Sequence, residues 1–187
     1  MKTKINYPAI ITFYVIAIVL RYLTTKTALL NVVPGIYFKA ILQGIGPAIG
    51  AIAAFTIFKI KPKLTLKGNY KKILTPLLIF WVLPVVLILG AEYYIKQTIS
   101  ITSVVVILIY GLLEETGWRG FLQQELKSLP PFLNIVIVSV LWFIWHLNFD
   151  FTTSNLLFLV ILIAGSWGIG SVRQYPFITC CISFSLA

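Results

Sequence analysis

Long apolar runs recur along the chain, each closed by a short polar or basic cluster. Six are evident, at about Ile5–Leu23, Ile36–Phe58, Ile73–Ala91, Ile99–Phe121, Phe132–Phe149 and Asn155–Val172. Each has roughly the 17–25 residues that a helix needs to cross the hydrocarbon of a bilayer. A seventh run begins near Pro176 and reaches Ala187; it is too short to span, so a longer parent chain is expected. Pro34-Gly35 and Pro130-Pro131 punctuate loops, whereas Pro47, Pro76 and Pro84 fall inside apolar runs, where neighbouring helices can satisfy the freed carbonyls. Gly46-Pro-Ala-Ile-Gly50 is a small-xxx-small pattern that lets two backbones approach closely, and Gly165, Gly168 and Gly170 do the same for the sixth run. The pattern predicts an all-α, polytopic transmembrane helix bundle of about six to seven spans. It forms a single membrane-embedded domain, with N-terminal helices over 1–98 and the chemistry-bearing core over 99–187.

Composition supports this reading. With 59% hydrophobic and only 11% charged residues, the chain excludes an ordinary soluble domain. The first run imitates a signal peptide, with Lys2 and Lys4 before it. No small-x-small cleavage site follows, and Arg21-Tyr-Leu-Thr-Thr-Lys26 stands there instead, so the run is a retained helix. The net charge of +10 raises nucleic acid as a partner, but its distribution argues against that. Six of the fifteen Lys/Arg are Lys59, Lys61, Lys63, Lys67, Lys71 and Lys72, in or beside the second loop. The positive-inside rule makes the Lys59–Lys72 loop cytoplasmic, where it also meets anionic lipid. Alternation then puts the N-terminus, Lys127 and Arg173 inside, with Arg21, Lys26, Lys39, Glu92, Lys96 and Asp150 outside. The expected location is the cell membrane, multi-pass, with the lipid bilayer as partner and no nucleic acid. Cys180 and Cys181 are adjacent in an apolar run and have neither disulfide-framework nor metal-ligand spacing; they read as small buried hydrophobes.

Only five acidic residues occur, and two of them, Glu114 and Glu115, sit side by side in a membrane run. Ionisable groups in hydrocarbon are costly and face a bundle interior or a water-filled cavity. Glu115 and Arg119 are four residues apart on one helix, so they can pair. Glu114 lies ~100° round the helix and is the carboxylate left over: either it is protonated, or a group across the bundle makes its charge useful. The one histidine, His146, is sixteen residues after Pro130, and Glu114 is sixteen before it. In an antiparallel hairpin turning at Pro130, equal spacing means equal depth, ~24 Å from the turn at 1.5 Å per residue. Three readings follow from the residues alone. One is a buried Glu–Arg–His network that fixes helix register. Another is a proton- or ion-coupled transporter, since carboxylate–His relays mark such pathways. The third is hydrolysis by a water, or a metal with its water, held between carboxylate and imidazole.

Glu-Glu-x-x-x-Arg followed about thirty residues later by an aromatic-x-x-x-His helix resembles the CPBP intramembrane proteases. These include CAAX prenyl endopeptidases and bacterial proteins of bacteriocin processing and self-immunity. Glu114, Glu115 and Arg119, extended by Gly120, match the first motif, and Trp142 and His146 the second. The likeness runs from about Gly111 to the C-terminus. It implies that Glu114 is the base activating water and that His146 holds that water or a metal. Glu115, Arg119 and Trp142 would brace the site. A divalent metal such as zinc, held by Glu114 and His146, is the cofactor the resemblance brings with it. The implied activity is endopeptidase hydrolysis of a membrane-near peptide or protein substrate. A third motif, His-x-x-x-Asn, normally polarises the scissile carbonyl or ligates metal. The tail Ile182-Ser-Phe-Ser-Leu-Ala187 has Phe184 at the position of that histidine. The alternative is therefore a catalytically degenerate relative acting as a membrane scaffold or self-immunity protein.

Overall fold

The computed structural model describes residues 5–62, 83–98, 100–148 and 152–171, and all of its regular elements are helical. Helix α1 is Tyr7–Lys26, α2 Ile36–Ile57, α3 Leu83–Lys96, α4 Ile101–Ser128, α5 Pro131–Trp145 and α6 Thr153–Ser171. Three of them, α1, α2 and α4, are long and apolar enough to cross a membrane; α5 is apolar but shorter. The start of the third predicted span, the seventh run, the cysteine pair and Phe184 lie outside the described residues.

Local sequence sets the helix ends. Asn6 caps α1, its side chain accepting from the Ala9 amide at 3.2 Å, with proline in the first turn. Gly35 enters α2 with φ +78°, a conformation natural to glycine. Ser100 caps α4 through the Ser103 amide at 3.2 Å. Pro130 is extended and Pro131 opens α5, so the hairpin turns where the prolines predict. At its far end α5 tightens, with His146 N–H bonding Phe143 O and Leu147 N–H bonding Ile144 O. Leu147 then takes a left-handed φ of +55°. The helix therefore ends at Trp145, four residues before the predicted Phe149, and His146 is its C-cap.

Helices α1 and α2 pack through small residues. A Cβ at Gly46 would stand 2.8 Å from Ala17 O, and one at Gly50 would stand 2.6 Å from Phe13 O, so only glycine permits this approach. Across the other face of α2, Gly44 receives the Tyr110 ring and Gly117 of α4 abuts Pro47. This three-helix contact fixes the depth of Tyr110 and Glu114 relative to α1. Trp118 is fully buried at the centre, edge-on to Phe13 (5.4 Å) and Trp145 (5.9 Å) and tilted against Trp142 (6.3 Å). The α1–α5 contact is polar as well as apolar: Tyr14 Oη donates to Leu141 O (3.0 Å) and Trp145 Nε1 to Ala17 O (2.9 Å). Ser139 Oγ donates to Leu162 O of α6 at 3.3 Å.

The opposite faces are apolar and uncovered. On α1, Tyr7, Ile11, Val15, Val19 and Tyr22 are exposed in one stripe while Ala9, Phe13 and Ala17 are buried in the other. Ile101, Val105, Ile109 and Leu112 repeat the pattern on α4. A helix whose outer stripe is as apolar as its inner one needs an apolar solvent, so the protein is a membrane protein.

Candidate active site

Glu114 and Glu115 occupy the last α-helical turn of α4 and are 2% and 1% exposed. Directly after them the helix widens into a π segment, Trp118–Leu122, and the Trp118 amide faces both carbonyls, Glu114 O and Glu115 O. A π segment is rare and often sits at a functional site. The sequence pattern gives no sign of it, because Trp118, Phe121 and Leu122 are apolar in either helical register.

Glu115 pairs with Arg119, Nε to Oε2 at 3.5 Å, with the two side chains 1% and 6% exposed. The Arg119 guanidinium also lies 5.1 Å over the Trp142 ring. Trp142 Nε1 in turn donates to Glu114 Oε2 at 2.9 Å. The two adjacent carboxylates are thus connected across the bundle, through the cation and the indole, by the residues of both sequence motifs. Among the described residues Glu114 Oε1 is buried with no hydrogen bond of ordinary geometry, and the Tyr110 hydroxyl lies close enough to interact with the carboxylate. A buried carboxylate oxygen without such a bond is uncommon and is the acceptor this arrangement leaves open.

His146 is one turn beyond Trp142. Its Nδ1 lies 2.9 Å from Trp142 O. A carbonyl only accepts, so Nδ1 carries the proton and, in the neutral ring, the Nε2 lone pair remains available. The ring is held edge-on by Trp145 (5.1 Å) and Phe158 of α6 (4.9 Å). The group that reaches the Glu114 carboxylate directly is therefore Trp142, and His146 is tied to it through the same residue. Equal spacing from Pro130 assumes a uniform rise, which α4 does not have: it passes from α to π, then through one α turn into a 3₁₀ turn at Leu126–Ser128.

Sequence reading assigns Arg21 to the outer side, at the end of the first span, and gives it no role in the site. Helix α1 instead continues to Lys26, and Arg21 turns into the bundle. Its Nη1 donates to Gln43 O (3.2 Å) and to Tyr110 Oη (3.3 Å), and its guanidinium stacks 4.5 Å over Trp145. Tyr110, one turn before Glu114, was missed as well. The available signal was the choice of arginine: only three occur, against twelve lysines, and arginine suits buried stacked sites. Arg21 and His146 line a cavity of about 310 Å³ whose mouth carries Lys26, Asn148 and Asn155 and whose wall includes Phe143 and Phe158.

Among the described residues no group of three or more His, Cys, Asp or Glu side chains comes together. Glu114 and His146 would offer a divalent ion two protein ligands, one short of the three of a catalytic zinc site. The described residues do not by themselves fit a resident zinc.

Compared with known proteins, residues 96–182 match the model of a family described as type II CAAX prenyl endopeptidase Rce1-like. The matched segment contains both motifs, the hairpin α4–α5 and helix α6. No curated protein and no solved structure matches the chain.

Proposed function

We propose that the chain is an intramembrane endopeptidase that hydrolyses a peptide bond of a membrane-near protein or peptide, a reading supported by the match of residues 96–182 to the Rce1-like, CAAX protease-like family. Glu114 is the general base. The observation that carries this reading is its carboxylate: one oxygen is fixed by the Trp142 indole at 2.9 Å, the other is buried without a hydrogen bond of ordinary geometry, and the Tyr110 hydroxyl also approaches the group. A carboxylate oriented through one oxygen presents the other to a water proton at low reorganisation cost. His146, its Nδ1 occupied by Trp142 O, offers Nε2 as a second acceptor for that water. Glu115 and Arg119 position Trp142 and so act through it.

The open cavity end holds Lys26, Asn148 and Asn155. With the N-terminus and the Lys59–Lys72 loop cytoplasmic, this end faces the outer side of the membrane, and the substrate enters from there. The test is cleavage of a membrane-tethered reporter library by the purified protein in nanodiscs, wild type against Glu114→Gln. Cleavage by wild type that is lost in Glu114→Gln supports the reading. Absence of cleavage, or equal cleavage by both proteins, overturns it.

A further inference from the structure

Arg21 comes from α1, outside the matched segment, yet its side chain reaches the same cavity as His146. It lines the cavity beside His146 and holds Tyr110, one turn before Glu114. A guanidinium has five N–H donors. Among the described residues Nη1 makes both of its hydrogen bonds, and Nε is buried with no acceptor. An arginine at this depth is expensive unless its donors are used. Two bonds and the Trp145 face already hold the group rigidly, so the unused donors are oriented before any ligand arrives.

We propose that Arg21 is a catalytic residue of this site, donating from its guanidinium to the oxygen of the scissile carbonyl as that oxygen gains charge. This rests on the endopeptidase reading. Glu114 takes one proton from water as the water oxygen bonds the carbonyl carbon, and the C=O π pair moves onto the carbonyl oxygen, held by Arg21. When that pair returns, the C–N bond breaks. The amine leaves with the proton that Glu114 had taken, giving one carboxyl and one amino terminus for one water consumed. Acyl transfer needs a preorganised donor for the oxyanion, and the other buried cation, Arg119, is committed to Glu115. Lys26 reaches the cavity only at its exposed mouth.

The test uses the full-length protein in nanodiscs on the best-cleaved reporter of the library. Arg21→Ala should lower kcat on the order of 10²–10³-fold with little change in KM, the loss typical of removing one oxyanion donor. Millimolar guanidinium should restore part of kcat in Arg21→Ala and none in wild type. Thermal unfolding is measured alongside. If Arg21→Ala does not fold, Arg21→Gln carries the test, with a loss of roughly tenfold or more expected from folded protein. Cleavage abolished by Glu114→Gln but retained at wild-type kcat in Arg21→Ala or Arg21→Gln overturns the role of Arg21 and leaves the endopeptidase reading standing. So does guanidinium that raises the melting midpoint without raising kcat. Wild-type protein that cuts no reporter, or cuts no better than Glu114→Gln, overturns both.

Discussion

Replacing Arg119 by alanine should unfold this protein long before replacing Glu114 by glutamine does, although the two side chains are five residues apart and both buried. Arg119 Nε lies 3.5 Å from Glu115 Oε2, and Glu115 is 1% exposed. Removing the cation leaves that carboxylate buried without its counter-charge, a change that costs ~3–5 kcal/mol when a buried pair is broken from one side. The guanidinium also covers the Trp142 face at 5.1 Å, a contact of ~0.5–2 kcal/mol. The sum is comparable to the whole stability of an ordinary domain, ~5–15 kcal/mol. Glu114→Gln keeps the shape, and its amide oxygen can still accept from Trp142 Nε1. Only a charged hydrogen bond becomes a neutral one, a difference of about 1 kcal/mol. Thermal unfolding in detergent, followed by tryptophan fluorescence, reads both variants directly. Arg119→Ala should express poorly or melt far below wild type, and Glu114→Gln should melt close to it. Equal destabilisation by the two changes would refute the division into a bracing pair and a chemical carboxylate.

Trp142→Phe removes the indole N–H that holds Glu114 Oε2; a charged hydrogen bond of ~1.5–3 kcal/mol is lost, so reporter kcat should fall about tenfold or more, while a rate unchanged in folded protein would count against this positioning. Gly50→Ala sets a methyl 2.6 Å from Phe13 O; backbone cannot yield cheaply, so overpacking should destabilise by ~1–3 kcal/mol, read as a lower melting midpoint. Topology is checked by impermeant thiol labelling of intact cells in a Cys180→Ser/Cys181→Ser background: Thr153→Cys should label and Lys61→Cys should not, and the reverse would invert the orientation.

The long period of apolar runs makes the helical membrane fold legible, because hydrocarbon demands both length and apolarity from each span. The hairpin at Pro130 and the close approach at Gly46 and Gly50 are equally legible, since proline and glycine act through their own backbone geometry. The Glu115–Arg119 pair follows from i,i+4 spacing on a continuous turn. What sequence spacing cannot carry is the π segment at Trp118–Leu122, or that Trp142 is the direct partner of Glu114. Nor can it carry the early stop of α5, which depends on Leu147 adopting a left-handed conformation. Arg21 was hidden for a different reason. Its role depends on which side of α1 meets α2 and α4, a tertiary fact set by glycines some thirty residues away.

The central claim, that Glu114 activates a water against a peptide bond, is tested most directly by a single turnover in H₂¹⁸O with mass spectrometry of the cleaved reporter and of the protein. The account predicts one ¹⁸O in the new carboxyl terminus of the product, none in the Glu114 side chain, and no product from Glu114→Gln. Label appearing in Glu114, or a product free of ¹⁸O, would contradict it.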